Sequence, residues 1–120
     1  MTTMTTIEQQ TEATLGHHLQ SLTVKDLDAV LSDYTEESIL FTPGGVITGL
    51  EQLRWFFSTQ FIPLMTPEFL SGFKITQQDI RGEFAYIAWA SGTVVPFGLD
   101  SFQVRSGKII VQIFGAYTPR

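Results

Sequence analysis

Residues 97–117 read FGLDSFQVRSGKIIVQIFGAY, and the rhythm of this stretch decides the fold. Two apolar runs, FGLDSFQVR and KIIVQIFGAY, flank a short turn at Ser106-Gly107, which predicts an antiparallel hairpin. Working backwards from it, Arg81-Gly82 and the stretch from Gly92 to Gly98 separate earlier β-runs. From Gly72 onward the chain therefore reads as a meander of three or four strands.

The rhythm changes near FIPLMTPEFL, residues 61–70, and the half before it reads helical. Leu15, Leu19 and Leu22 share one helix face, and Thr5 with Glu8 offers a capping box, so the first helix is expected over roughly 5 to 21. The Thr-rich tail at 2 to 6 is expected to fray at its tip. Asp26 caps a second helix whose apolar residues Leu27, Val30, Leu31 and Tyr34 keep helical spacing until Thr35. Ser38 to Thr42, Pro43-Gly44-Gly45 and Val46-Ile47 predict a hairpin. Thr48 to Glu51 has the form of a third capping box, opening a helix with Leu53, Phe56, Phe57 and Phe61 on one face. Pro63 and Pro67 are expected to end it. Helices followed by an antiparallel meander define an α+β domain spanning residues 1–120.

Composition excludes several function classes. Twelve acidic against seven basic residues give a net charge of −5, so no basic surface is available for phosphates or anionic lipid, and nucleic acid and membrane are not expected partners. With no cysteine there is no thiolate metal ligand, no disulfide and no thiol nucleophile, and His17 and His18 are the two histidines. No metal site and no cofactor is expected. MTTMTTIEQQTEAT has neither the basic start nor the apolar run of a signal peptide, and no stretch reaches the ~18 apolar residues of a membrane span, so a cytoplasmic location is expected. The motifs of serine hydrolases and nucleotide-binding loops are missing from the sequence.

Two polar residues fall on apolar faces. His18 lies three residues after Leu15 and four before Leu22, so it faces inward while His17 points about 100° away. The two-residue period of a strand sets Asp100 on the face of Phe102 and Val104, with Leu99, Ser101 and Gln103 opposite. A buried carboxylate must find a donor or take up a proton, and either state suits acid/base work. The plainer reading of an inward histidine is a core residue bonded to backbone. The aromatics are core material first, and some of them are candidates for a pocket wall.

The order of these segments also carries a resemblance. KDLDAVLSDYTEESILFTPGGVITGLEQLRWFF (25–57) and LDSFQVRSGKIIVQIFGAY (99–117), following the first helix, resemble the nuclear transport factor 2-like superfamily in its SnoaL-like and ketosteroid-isomerase-like branch. The resemblance covers nearly the whole chain. It implies a cystatin-like α+β barrel: a cone-shaped, curved antiparallel (mixed) sheet wrapping the N-terminal helices around an apolar pocket, as a homodimer.

By the same resemblance, the first-helix donor position falls on His18 and the strand carboxylate on Asp100, the two expected catalytic residues. The position of the ketosteroid isomerase base falls on Thr42, before Pro43, and a threonine is no base near neutral pH. Tyr34 matches a supporting tyrosine, and Phe57 replaces a second aromatic hydroxyl. Tyr34, Thr42, Phe57, Phe61, Trp89 and Phe102 are the expected substrate-binding residues. The implied activity is cofactor-independent isomerase, cyclase or dehydratase chemistry on a small apolar carbonyl compound. Asp100 moves the proton next to the carbonyl, and His18, with Tyr34 or Thr42, polarises the oxygen. The alternatives are a non-catalytic protein binding a small apolar ligand and a dimerisation or interaction module. The latter would use an outer sheet face with Leu99, Ser101, Gln103, Ile113 and Tyr117 as candidates.

Overall fold

The computed structural model of the protein describes residues 4–119. The expected fraying concerns a tail whose first residues, 2 and 3, lie outside that range. Thr5 opens helix α1 (Thr6–Thr23) through a complete capping box with Glu8. Leu15, His18 and Leu22 lie buried along its inner stripe. Two contacts fix α1 to the turn at Gly82. The Thr11 hydroxyl is 2.8 Å from the Gly82 carbonyl oxygen, and the Gly82 amide donates to Glu8 Oε2 at 2.9 Å.

Helix α2 (Leu27–Leu31) is capped by the Asp26 carboxylate, which accepts from the Ala29 amide at 3.1 Å. It is shorter than its spacing predicts. Tyr34 does not extend it but begins strand β1 (Tyr34–Thr42), because the Asp33 carbonyl already accepts from the Ile109 amide. Strand β2 (Gly45–Thr48) closes the predicted hairpin, and helix α3 (Gly49–Phe56) follows. The expected capping box at Thr48 does not form. The Thr48 side chain caps nothing, and its amide donates instead to Gln52 Oε1 at 2.8 Å.

The chain then winds through a π-helical turn (Phe57–Phe61) and a 3₁₀ turn (Ile62–Leu64). Pro67 starts an element rather than ending one. It occupies the first turn of helix α4 (Pro67–Gly72), capped by the Thr66 hydroxyl, where a missing amide is tolerated.

Four strands complete the chain: β3 (Phe73–Arg81), β4 (Phe84–Ser91), β5 (Val95–Arg105) and β6 (Lys108–Tyr117). β5 begins at Val95, so the loop expected up to Gly98 is shorter than its glycines suggest. The predicted β5–β6 hairpin turns on Ser106 and Gly107, with φ of 53° and 74°, the geometry whose twist matches paired strands. Among the described residues, six strands form one mixed sheet in the order β2-β1-β6-β5-β4-β3, antiparallel except for β1 against β6. The sheet is curved but open, with β2 and β3 as free edges, so the cone is not closed into a full barrel.

α1 packs against β3, β4 and β5. Cross-strand register sets the rows that face it: Ile87, Asp100 and Phe114 in one, Ala85, Phe102 and Gln112 in the next. Leu53, Phe57, Val30 and Leu40 join them in one core, which buries the apolar surface that holds the domain together.

Candidate functional site

Within the cone, helices α1, α3 and α4 and the inner rows of β4, β5 and β6 leave an apolar cavity of about 50 Å³. Space of that size admits a few waters or one end of a small organic molecule. His18, Asp100 and Gln112 are the ionisable or amide side chains in its wall. Both residues turned inward by sequence periodicity therefore reach one cavity. His18 is 2% exposed and Asp100 7%.

Asp100 is held from two sides. Trp89 Nε1 donates to its Oδ2 at 2.9 Å, and Gln112 Nε2 donates to its Oδ1 at 2.9 Å. The Tyr34 hydroxyl donates to Gln112 Oε1, which orients the amide so that its NH₂ faces the carboxyl. Burial pushes the Asp100 carboxyl up to about 7, against the opposing pull of the Gln112 and Trp89 donors, which favour the carboxylate. Near neutral pH the group is poised to give or take a proton.

His18 has the opposite electrostatic fate. Burial, with a smaller push from the neighbouring His17, lowers its imidazole to about 3, so it is neutral at physiological pH. Among the described residues its buried Nδ1 has no hydrogen-bond partner. The ring is instead packed edge-on among Tyr34, Phe57 and Phe102, with centroids at 5.9, 6.2 and 5.5 Å. The backbone-bonded core histidine of the plainer reading is thus not what Nδ1 shows. A neutral imidazole offers one N–H donor and one lone pair, and leaving a ring nitrogen unpaired costs about 1–3 kcal/mol unless a ligand or water completes it.

The remaining expected residues divide. Phe57, Phe61, Trp89 and Phe102 line the cavity. Tyr34 stands behind its wall with its hydroxyl committed to Gln112, and burial first, then the charges of Asp100 and Asp33, raises that hydroxyl well above its usual range. Thr42 is not in the wall at all. It sits at the tip of the β1–β2 hairpin, its hydroxyl donating to the Gly45 carbonyl at 2.8 Å. Neither residue is thus placed to polarise a substrate oxygen beside His18.

Gln112 escaped the sequence reading, although it interrupts the apolar run IIVQIF just as Asp100 interrupts its own strand. Asp33, 7% exposed, also escaped it. His17 Nδ1 lies 2.7 Å from Asp33 Oδ2, outside the cavity. Among the described residues no group of three or more His, Cys, Asp or Glu is placed to hold a metal, and no helix is long and apolar enough to cross a membrane.

No protein-family model and no curated protein sequence matches the chain. Solved structures do. An NTF-2 like protein of unknown function from Burkholderia xenovorans superposes with a TM-score of 0.76 at 19% identity, over 97% of this chain and 89% of that one. An NTF2-like protein of unknown function from Mesorhizobium loti gives 0.76 at 18% identity, covering 96% and 97%. The chain has the nuclear transport factor 2-like fold. A SnoaL-like protein of unknown function from Burkholderia thailandensis shares this NTF2-like fold, with a TM-score of 0.73 at 14% identity over 92% and 96% of the two chains. Other matches to the NTF2-like fold are described as cystatin-like. Provisional names among them mention a SnoaL-like polyketide cyclase, from Jannaschia, and a ketosteroid isomerase, from Kribbella flavida.

Proposed function

We propose that the cavity binds a small apolar carbonyl compound and that Asp100, with His18, moves a proton at the carbon next to the carbonyl, without metal or organic cofactor. The observation that carries this reading is the Asp100 carboxyl buried in the wall of an apolar cavity and aimed by Trp89 and Gln112, a setting whose burial pushes the group up to about 7. As carboxylate, Asp100 takes the proton from the α carbon. The electron pair moves to the carbonyl oxygen, and the His18 N–H donates a hydrogen bond to the charge that develops there. Asp100 then returns the proton, to the same carbon or to a neighbouring one. The provisional names of the Jannaschia and Kribbella flavida proteins favour a SnoaL-like or isomerase-like setting for this chemistry.

The test is deuterium uptake. A panel of small cyclic ketones incubated with the protein in D₂O is expected to exchange α protons, read by NMR, and Asp100→Asn is expected to abolish the exchange with its circular dichroism spectrum intact. Undiminished exchange in Asp100→Asn overturns the assignment. A second reading, binding without turnover, is favoured by the same clamp, because a carboxyl held by two donors also serves as a fixed anchor. Saturable binding with no exchange in any ketone selects it.

The outer sheet face supports a homodimer in this reading. Tyr86, Ser101 and Ile113 form one cross-strand row there and Phe84, Gln103 and Val111 the next, with Phe84 58% and Ile113 48% exposed. An apolar face of that kind calls for a partner surface. Light scattering that gives a monomer mass at micromolar concentration contradicts it. The same reading puts the protein in the cytoplasm, which subcellular fractionation tests.

A further inference from the structure

A groove of about 340 Å³ runs outside the cavity, between the tip of the β1–β2 hairpin, α3 and the 3₁₀ turn. Phe56, Phe61 and Phe114 belong to both walls, so a single layer of aromatic rings separates groove from cavity. Phe61 is the centre of that partition. It meets Phe114 edge-on at 5.5 Å and stacks on Phe56 at 6.3 Å. It also ends the π-helical turn, a local departure from α geometry that recurs at functional sites. On the far side, Trp55 and Leu64 are 54% and 58% exposed, and Ile47 and Pro43 of the hairpin complete the wall. Among the described residues, no charged side chain lines the groove, and its polar side chains are Thr42 and Gln60.

The cavity and groove differ in size and in chemistry. The cavity has the acid/base pair but little room. The groove has room and, among the described residues, a largely apolar wall with neither acid nor base. We propose that they are two halves of one site for a ketone bearing an alkyl chain. The carbonyl end lies against Asp100 and His18, and the chain passes beside Phe61 into the groove along Ile47, Trp55 and Leu64. This rests on the ligand-pocket reading above and adds to it a substrate class: a chain-bearing ketone rather than a compact ring. Shared aromatic walls argue for one continuous small ligand there, since a protein partner would have no reason to meet the lining of the inner cavity. Phe61 is the specificity-determining residue in this arrangement, because its ring stands in both walls where the chain crosses from cavity to groove.

Calorimetric titration with 2-butanone, 2-hexanone and 2-nonanone tests it. Affinity is expected to climb by roughly three- to four-fold for each methylene laid in the groove. The ratio of 2-nonanone to 2-butanone affinity is expected to fall by roughly five-fold or more in Leu64→Ser and Trp55→Ala, which remove apolar wall from the groove. Binding of 2-butanone with no gain for the longer ketones, or a gain that both variants leave intact, overturns the outer half while the ligand-pocket reading stands. No saturable binding of any of the three overturns both.

Discussion

The indole of Trp89 packs directly against Gly98, its cross-strand neighbour, and from there its Nε1 donates to Oδ2 of Asp100 at 2.9 Å. A donor to the carboxylate favours the ionised form, so this bond opposes the upward push of burial. Trp89→Phe keeps an aromatic ring and removes the donor. The Asp100 carboxyl is expected to rise above about 7 in that variant, read from its ¹³C carboxyl resonance across a pH titration. Any α-proton exchange should shift to more alkaline pH with it. An unmoved titration would mean that Gln112 alone sets the acidity.

Gly98 is required by closeness rather than by backbone freedom. A methyl group built on it comes within 2.3, 2.4 and 2.7 Å of the indole carbons Cε2, Cζ2 and Cδ2 of Trp89. Gly98→Ala is therefore expected to destabilise the fold by about 1–3 kcal/mol, as overpacking does. Urea unfolding gives that number. The indole ¹H–¹⁵N resonance should move in the same variant, because displacing the ring breaks its bond to Asp100.

Stability should depend on pH through two opposed groups. Asp100 has a folded value near 7 against 3.8 unfolded, so between those values the folded state holds the extra proton, and this group lowers stability as pH rises. His18 has a folded value near 3 against 6.5 unfolded, so there the unfolded state holds the extra proton, and stability rises with pH. Between about pH 4 and 6.5 the two slopes cancel. Asp100→Asn should unmask the rising slope, and His18→Gln a falling one up to about pH 7. Thermal melts across this range check both signs.

Thr11 is buried at 1% exposure, and its hydroxyl is shared between the Ile7 and Gly82 carbonyls. Thr11→Val keeps the shape and removes the only side-chain link from this position to the β3–β4 turn. A loss of about 1 kcal/mol is expected. Faster amide exchange at Gly82 should accompany it, while the β5–β6 hairpin keeps its protection.

Period alone located His18 and Asp100, because each sits on a regular element whose apolar neighbours fix its direction. The same logic applied to Gln112 would have completed the carboxyl's setting. It fails for Tyr34, whose helical spacing from Leu27 is genuine but is overruled where the Asp33 carbonyl pairs with Ile109, 76 residues later in the chain. It fails again at Pro67, since one residue type both ends helices and begins them. The aromatic partition around Phe61 is a matter of how three elements meet, and no local pattern encodes that.

One topological detail governs how the chain must come together. β6 is the latest of the six strands in sequence but stands third in the sheet, with β1 parallel on one side and β5 antiparallel on the other. During synthesis the β1–β2 hairpin emerges early and then waits, one edge of β1 unpaired, until residues 108–117 have left the ribosome. Non-local closure of this kind slows folding and leaves a strand edge open to other chains meanwhile. Ser38 sits on that waiting edge with its hydroxyl reserved for the Ile109 carbonyl. The site shares this timing, because Gln112 arrives on β6, so the carboxyl of Asp100 gains its second donor only when the sheet closes.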